Sequence, residues 1–182
     1  MSGIDSYDEK NLSGRSYRLF KEWKAIDKRF KNDDKVEYII RKPNGDNLPV
    51  EYDIFFHIKS ITGVREKNAN GLQEPIFGNE HVMRIKLPNS FPAGRPEFKF
   101  KTDVWHPNIR YFGDFKGNVC LNITDHGTFV SLADYIDRVI EYLKYEDYFA
   151  INEYPYPEDL EVAEWVIKQA EPNNWLKFKQ DQ

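Results

Sequence analysis

The sequence predicts a single α+β domain: an N-terminal helix, a four-stranded antiparallel meander, an irregular stretch and C-terminal helices. Three observations predict it. Apolar residues recur at helical spacing from Gly14 to Phe30. Four later segments alternate apolar and polar residues. Two further helical patterns follow a glycine-interrupted region.

The first helix rests on Leu19, Trp23, Ile26 and Phe30, spaced by four, three and four residues on one face. Lys21, Lys24, Lys28 and Lys31 lie largely on the other side, either as a solvated face or as a docking surface for an acidic partner. Val36, Tyr38 and Ile40 mark the first strand, and Pro43-Asn44-Gly45-Asp46 turns it back. Tyr52, Ile54, Phe56 and Ile58 mark the second strand. Met83, Ile85 and Leu87 mark the third, and Phe98 and Phe100 the fourth. Period-two alternation buries one face and wets the other, and the helix covers the apolar side. A long loop is expected from about Ser60 to Asn79, where Gly63, Gly71, Pro75 and Gly78 accumulate.

Residues 103–130 carry Pro107, Gly113, Gly117 and Gly127 and read as irregular chain packed through its aromatics. Ser131 is a candidate N-cap, with Asp134 three positions later. Leu132, Tyr135, Ile136, Val139, Ile140 and Leu143 form the wide apolar stripe of the helix that follows. Pro157-Glu158-Asp159 suits the start of a last helix, with Leu160, Ala163, Ile167 and Ala170 inward. The expected organisation is a flexible lead-in at 1–12, the domain at 13–172 and a tail at 173–182.

Composition bounds the function. The 182 residues suit one domain with a sizeable core, which 13 Phe, 11 Tyr and 4 Trp help to fill. With 26 basic and 30 acidic side chains the net charge is -4, which argues against broad nucleic-acid binding. No apolar run has membrane-spanning length, and Met1–Asn11 is polar and acidic, unlike a signal peptide. One cysteine cannot form an internal disulfide. A cytoplasmic protein is expected. His57, His81, His106 and His126 are scattered, with no metal-ligand spacing.

The chemistry concentrates between Phe91 and Ile123. There the chain reads Phe91-Pro92, Pro96, Phe98-Lys99-Phe100-Lys101-Thr102, His106-Pro107-Asn108-Ile109 and Gly117-Asn118-Val119-Cys120-Leu121. A lone cysteine is commonly a small buried hydrophobe. An exposed one in a glycine-flanked segment is also a nucleophile able to hold a large acyl group as a thioester. Together these motifs resemble ubiquitin-conjugating enzymes, whose fold order also fits residues 14–170. The divergence is similar to that of a remote branch, such as members found in bacterial operons for ubiquitin-like conjugation.

The resemblance implies a UBC-like fold and an acyltransferase. Cys120 receives a ubiquitin-like protein from an activating enzyme that uses ATP, and passes it to a target lysine, directly or through a ligase. It implies no metal or organic cofactor. Asn108 is the implied amide donor to the carbonyl oxygen, with loop bracing as its rival role. His106 matches a residue that mainly braces the loop. Asp159 matches an aspartate that helps the incoming lysine lose its proton, with Glu153 and Glu158 as alternates; supporting a helix start is its other reading. Arg18, Lys21, Lys24 and Lys28 fall where relatives dock the activating enzyme.

The chain departs from the family at three places. Tyr111–Lys116 lengthen the path from Asn108 to Cys120, which bears on where Asn108 sits relative to the thiol. Phe129-Val130-Ser131 stands where Trp-x-Pro is usual, and Ala93 replaces a phenylalanine. Both loops grip RING-type ligases in relatives. Two other readings stay open. One is a catalytically dead UBC-fold module that only binds ubiquitin-like proteins. The other is an unrelated cysteine hydrolase using His106 or His126.

Overall fold

A computed structural model describes residues 3–121, 131–154 and 156–180. Helix α1 (Gly14–Phe30) precedes four strands: β1 (Val36–Pro43), β2 (Pro49–Val64), β3 (Pro75–Lys86) and β4 (Glu97–Phe100). Helices α2 (Leu132–Leu143) and α3 (Leu160–Trp165) follow, and a π-helical turn at Val166–Ala170 prolongs α3. The strands form one sheet in the order β1-β2-β3-β4, with every neighbour antiparallel. This is the α+β order of elements that the residue pattern predicts, and it fits the UBC-like fold that the resemblance implies.

The core forms where the alternating faces point. Tyr52, Ile54, Phe56, Ile58, Met83, Ile85, Phe98 and Phe100 are buried beneath α1 and α2, together with Leu19, Trp23, Ile26 and Phe30. Burial of such side chains stabilises by about 1.5–3 kcal/mol each and dominates the fold. A buried carboxylate ties the two helices together. Glu22 accepts the Leu132 N–H at 2.7 Å and pairs with Arg18 at 2.8 Å. It sits at the positive end of α2, where a negative charge is favoured. Ser131 and Asp134 close a reciprocal capping box at that same helix start.

The expected loop at Ser60–Asn79 is mostly strand, a correction to the sequence reading. Strand β2 runs on to Val64 and β3 begins at Pro75, so only 65–74 connect them. Register shifts between His57 and Ser60, and between Ile61 and Gly63, break the period-two pattern there. Each bulge moves the inward positions by one residue, and the alternation ceases to be visible. The extension matters because Ile61 starts a second buried cluster with Trp105, Tyr145, Val162, Trp165 and Val166.

The last helix also differs. Leu160 and Ile167 are exposed, while Val162, Ala163, Trp165, Val166 and Ala170 face inward. The inward residues Ala163, Val166 and Ala170 are spaced by three and four, so the inner stripe passes through Val166, one residue from the expected Ile167. Residues of the N-terminal lead-in form two short 3-10 turns. Tyr7 lies against Phe20 and Trp23 and donates its hydroxyl to the Asn47 carbonyl at 2.9 Å. In the tail, Phe178 packs on Phe77, and the Gln180 amide brackets Lys59 through both its N–H and its C=O.

Replacing Glu22 with alanine leaves the Leu132 amide and the Arg18 guanidinium without this acceptor in the interior. A loss of about 1–3 kcal/mol is expected, read as a lower urea midpoint with an unchanged slope. An unchanged midpoint contradicts the docking role of Glu22.

Candidate active site

Strand β4 is the sheet edge, and the cysteine segment pairs against it. Phe100 donates its N–H to Gly117 C=O at 2.8 Å, and Val119 donates to Phe98 C=O at 3.1 Å. Asn118 lies opposite Lys99. Gly117 makes this approach possible. Its φ is +89°, and a Cβ there would lie 2.2 Å from the Phe100 carbonyl oxygen. A side chain is excluded both by space and by backbone conformation.

The same segment also pairs with the chain around Asn108. Gly117 donates to Arg110 C=O at 2.7 Å, Arg110 to Asn118 C=O at 2.9 Å, and Cys120 to Asn108 C=O at 2.8 Å. The extra residues Tyr111–Lys116 therefore close a hairpin-like loop. They add length at its far end and leave Asn108 joined to Cys120. The longer spacing does not separate the two residues. Aromatic contact of Tyr111 with Trp105, at 4.7 Å between ring centroids, and a Lys116–Asp103 ion pair of 2.7 Å hold the loop down.

Asn108 is buried and fixed from two sides. Its backbone N–H donates to His106 Nδ1 at 3.1 Å, and its side-chain Oδ1 accepts the Phe149 N–H at 2.8 Å. That contact orients the amide, leaving Nδ2 buried with no hydrogen-bond partner among the described residues. A buried donor without a partner is costly in a folded protein and calls for an explanation.

His106 is completely buried, and burial holds its pKa down at about 3. Both ring nitrogens are occupied. Nδ1 accepts from Asn108, and Nε2–H donates to the Asp147 carbonyl at 3.1 Å. The ring also stacks on Tyr142, with centroids 4.7 Å apart. A neutral ring so engaged braces the loop, the role implied by the resemblance. His126 lies outside the described residues, as do Phe129 and Val130.

Asp159 is buried and caps α3, accepting from the amides of Glu161 and Val162. Its other oxygen accepts from Tyr111 at 2.8 Å and Phe112 at 3.4 Å. Its own N–H donates to Pro107 C=O at 2.9 Å. The carboxylate thus links α3, the inserted loop and the His-Pro-Asn turn. Glu158 instead reaches the cleft that Cys120 lines. Glu153 is exposed.

Cys120 is half-buried and lines an open cleft of about 750 Å³. Lys86, Arg95, Glu97, Lys99 and Glu158 also face it. Tyr142 donates its hydroxyl to the Cys120 carbonyl at 3.1 Å, and burial raises that phenol's pKa. Two contributors escaped the sequence reading. The Phe149 amide is backbone, and Tyr142 falls outside the apolar stripe assigned to α2. An aromatic residue one position from that stripe was the only available signal.

The basic face of α1 is partly covered. Arg18 pairs with buried Glu22, and Lys21 and Lys24 pair with Glu9 of the lead-in at 3.5 and 2.8 Å. Lys28 is exposed. Among the described residues, no helix is long and apolar enough to cross a membrane, and no group of three or more His, Cys, Asp or Glu could hold a metal.

Comparison with known proteins agrees with this geometry. The family model described as "Ubiquitin-conjugating enzyme" matches residues 68–144. That stretch, which holds His106-Pro107-Asn108 and Cys120, is similar to ubiquitin-conjugating enzymes. It is 36% identical over 64 residues to the Drosophila melanogaster ubiquitin-conjugating enzyme E2-22 kDa, a match covering 35% of this chain and 31% of the relative. It thus spans about a third of that relative's length. An Arabidopsis thaliana protein named "Probable ubiquitin-conjugating enzyme E2 31" is 27% identical over 150 residues, covering 76% of this chain and 88% of its own. The solved E2 domain of a Toxoplasma gondii ubiquitin conjugating enzyme shares the fold. Its TM-score is 0.54 at 21% identity, over 84% of this chain and 88% of that one.

The buried His106 makes a signed prediction. Unfolded, the ring takes up a proton near its ordinary pKa of 6.5; folded, it does so only near pH 3. Its contribution to stability is complete above pH 6.5 and falls by about 1.4 kcal/mol per pH unit below it, until the folded pKa is reached. His106→Gln should be less stable at pH 7 and should lose less stability than the wild type between pH 6.5 and 5. Urea midpoints across that range measure it, and equal slopes contradict the neutral brace.

Proposed function

We propose that Cys120 accepts the C-terminal carboxyl of ubiquitin or a ubiquitin-like protein as a thioester from an activating enzyme, and transfers it to a lysine amine. The observation that carries this reading is the pairing of a cleft-lining thiol with an oriented amide donor. Cys120 opens onto the cleft, its backbone is joined to Asn108, and the buried Asn108 Nδ2 has no hydrogen-bond partner among the described residues.

The chemistry follows from those groups. The Cys120 thiolate displaces the activating enzyme's thiolate from the acyl carbonyl, so one thioester replaces another. A lysine amine then attacks that carbonyl, forms an amide and returns the sulfur as leaving group. Negative charge collects on the carbonyl oxygen during attack. A preorganised amide N–H is effective there. Asn108 Nδ2 is the donor for this role once the amide, which is buried and not among the residues lining the cleft, turns toward the acyl oxygen on Cys120.

The remaining residues divide between positioning and proton removal. His106 holds the His-Pro-Asn turn as a neutral brace, and Asp159 positions that turn and the inserted loop through backbone amides. The lysine must shed a proton before attack. Glu158, facing the thiol's cleft, is better placed for this than Asp159, whose oxygens already accept from amides. Glu158 also pairs with Arg110 at 3.4 Å, which holds it on that wall. The exposed part of α1, with Lys21, Lys24 and Lys28, receives the activating enzyme. No metal or organic cofactor takes part in this scheme, and the partners are the modifier, the activating enzyme, the target and, where needed, a ligase.

The test is direct. The protein is mixed with ubiquitin, a ubiquitin-activating enzyme and ATP, then separated with and without reductant; other ubiquitin-like modifiers with their own activating enzymes follow. A reductant-sensitive adduct is expected. It should become a reductant-resistant oxyester in Cys120→Ser and vanish in Cys120→Ala. An identical adduct on Cys120→Ala, or none with any modifier, overturns the assignment.

A further inference from the structure

The backbone of Cys120 is held on both sides of its Cα. Its N–H donates to the Asn108 carbonyl at 2.8 Å, and its C=O accepts the Tyr142 hydroxyl at 3.1 Å. Each peptide group is a rigid plane, so the chain turns only about the two bonds at Cα. One hydrogen bond restrains the plane before the cysteine, and the other restrains the plane after it. Together they set the direction of the Cα–Cβ bond and leave the thiol one freedom, rotation about χ1. The first bond ties the cysteine to the His-Pro-Asn turn. The second ties it to α2.

Tyr142 is built into that position. It is buried, and burial raises the phenol's pKa, so the hydroxyl keeps its proton and stays a donor. Its ring lies nearly parallel to His106, at an interplanar angle of 19°. Arg138, one turn earlier on α2, places its guanidinium carbon 6.0 Å from the ring centroid. Arg138 also pairs with the Asp147 carboxylate at 3.3 Å, and the Asp147 carbonyl accepts from His106. Tyr142, His106, Asp147 and Arg138 thus form a closed circuit behind the cysteine. None of the four is among the described residues that line the cleft. Tyr142 meets the cysteine at its carbonyl, from the interior side.

A neighbouring tyrosine supplies the contrast. Tyr145 is also buried, lies against the same His106 with ring centroids 4.8 Å apart, and donates its hydroxyl to a backbone carbonyl, that of Trp105. The two phenols make the same kind of bond beside the same ring, but only the Tyr142 bond ends on the cysteine. We propose that Tyr142 is a positioning residue for the reaction at Cys120: its hydroxyl fixes the cysteine carbonyl and so holds the sulfur, and the acyl group on it, in line for the incoming amine. Small misplacements of a reacting group are costly in rate. The inference rests on the carrier reading of Cys120 for its effect on rate, but the hold itself is measurable on the uncharged chain.

Tyr142→Phe keeps the ring on His106 and removes the hydroxyl, and Tyr145→Phe removes the matching hydroxyl next to it. In the uncharged full chain, carbon-13 NMR reads the Cys120 carbonyl, and Hα–Hβ couplings read its χ1. Tyr142→Phe should move the carbonyl resonance upfield and average the couplings, while Tyr145→Phe should leave both as in the wild type. Once charged, Tyr142→Phe should discharge about tenfold more slowly at saturating free lysine, with the half-saturating concentration unchanged. Tyr145→Phe should discharge at the wild-type rate. Cys120 is the only cysteine, so alkylation by iodoacetamide reads its thiol alone. A small reagent needs no fixed approach, and alkylation of Tyr142→Phe should change by less than about twofold. Equal slowing of discharge in both variants overturns the proposal, since general loosening would then suffice. So does an unmoved carbonyl resonance in Tyr142→Phe, or alkylation that falls in step with discharge, which would place the effect on the thiol's acidity. Failure of Cys120 to charge defeats the carrier reading, while the resonance and the couplings still decide whether Tyr142 holds the cysteine.

Discussion

The hydrogen bond from the Cys120 amide to the Asn108 carbonyl is the constraint on which the site depends. It joins two segments separated by an inserted loop and brings the backbone of Cys120 against that of Asn108. Gly117 permits this pairing because only a residue without Cβ can lie so close to the Phe100 carbonyl. Once the cysteine strand lies on β4, Arg110, Asn118 and Cys120 zip against the His-Pro-Asn turn, and the insertion is displaced to the loop's outer end.

The rest of the molecule immobilises that pairing. His106 sits at the bottom, neutral and stacked on Tyr142, with both nitrogens used. Phe149 holds the Asn108 amide, and Asp159 anchors the turn and the loop to α3. Each of these hydrogen bonds uses a backbone group, so the arrangement is set by chain path more than by side-chain choice. Leaving Nδ2 without a partner among the described residues opposes folding locally.

Much of this was legible in the chain. The α1 stripe, the inward alternation on the four strands and the Ser131 cap are strong local signals, and the structure shows them. The motif from His106 to Cys120 stands out because its residue types are unusual together, and the structure brings Asn108 and Cys120 into backbone contact. What failed was phase. Bulges after His57 and Ile61 hid the ends of β2 and β3 inside an apparent loop, and the inner stripe of the last helix passes through Val166, one residue from Ile167. Asp159 was open to two roles because a carboxylate before a helix reads alike as cap and as catalyst. Only the amides around it show how its oxygens are used. The Phe149 contact had no signal at all, since a backbone N–H has no residue-type signature.

Asn108→Asp tests the central claim most directly. It keeps an acceptor for Phe149 and replaces the Nδ2 donor with an oxygen. Charging of Cys120 from the activating enzyme and single-turnover discharge to free lysine are measured on the same preparation, charging serving as the control for folding. The account predicts that charging persists while discharge falls by about a hundredfold or more. Discharge at the wild-type rate contradicts it.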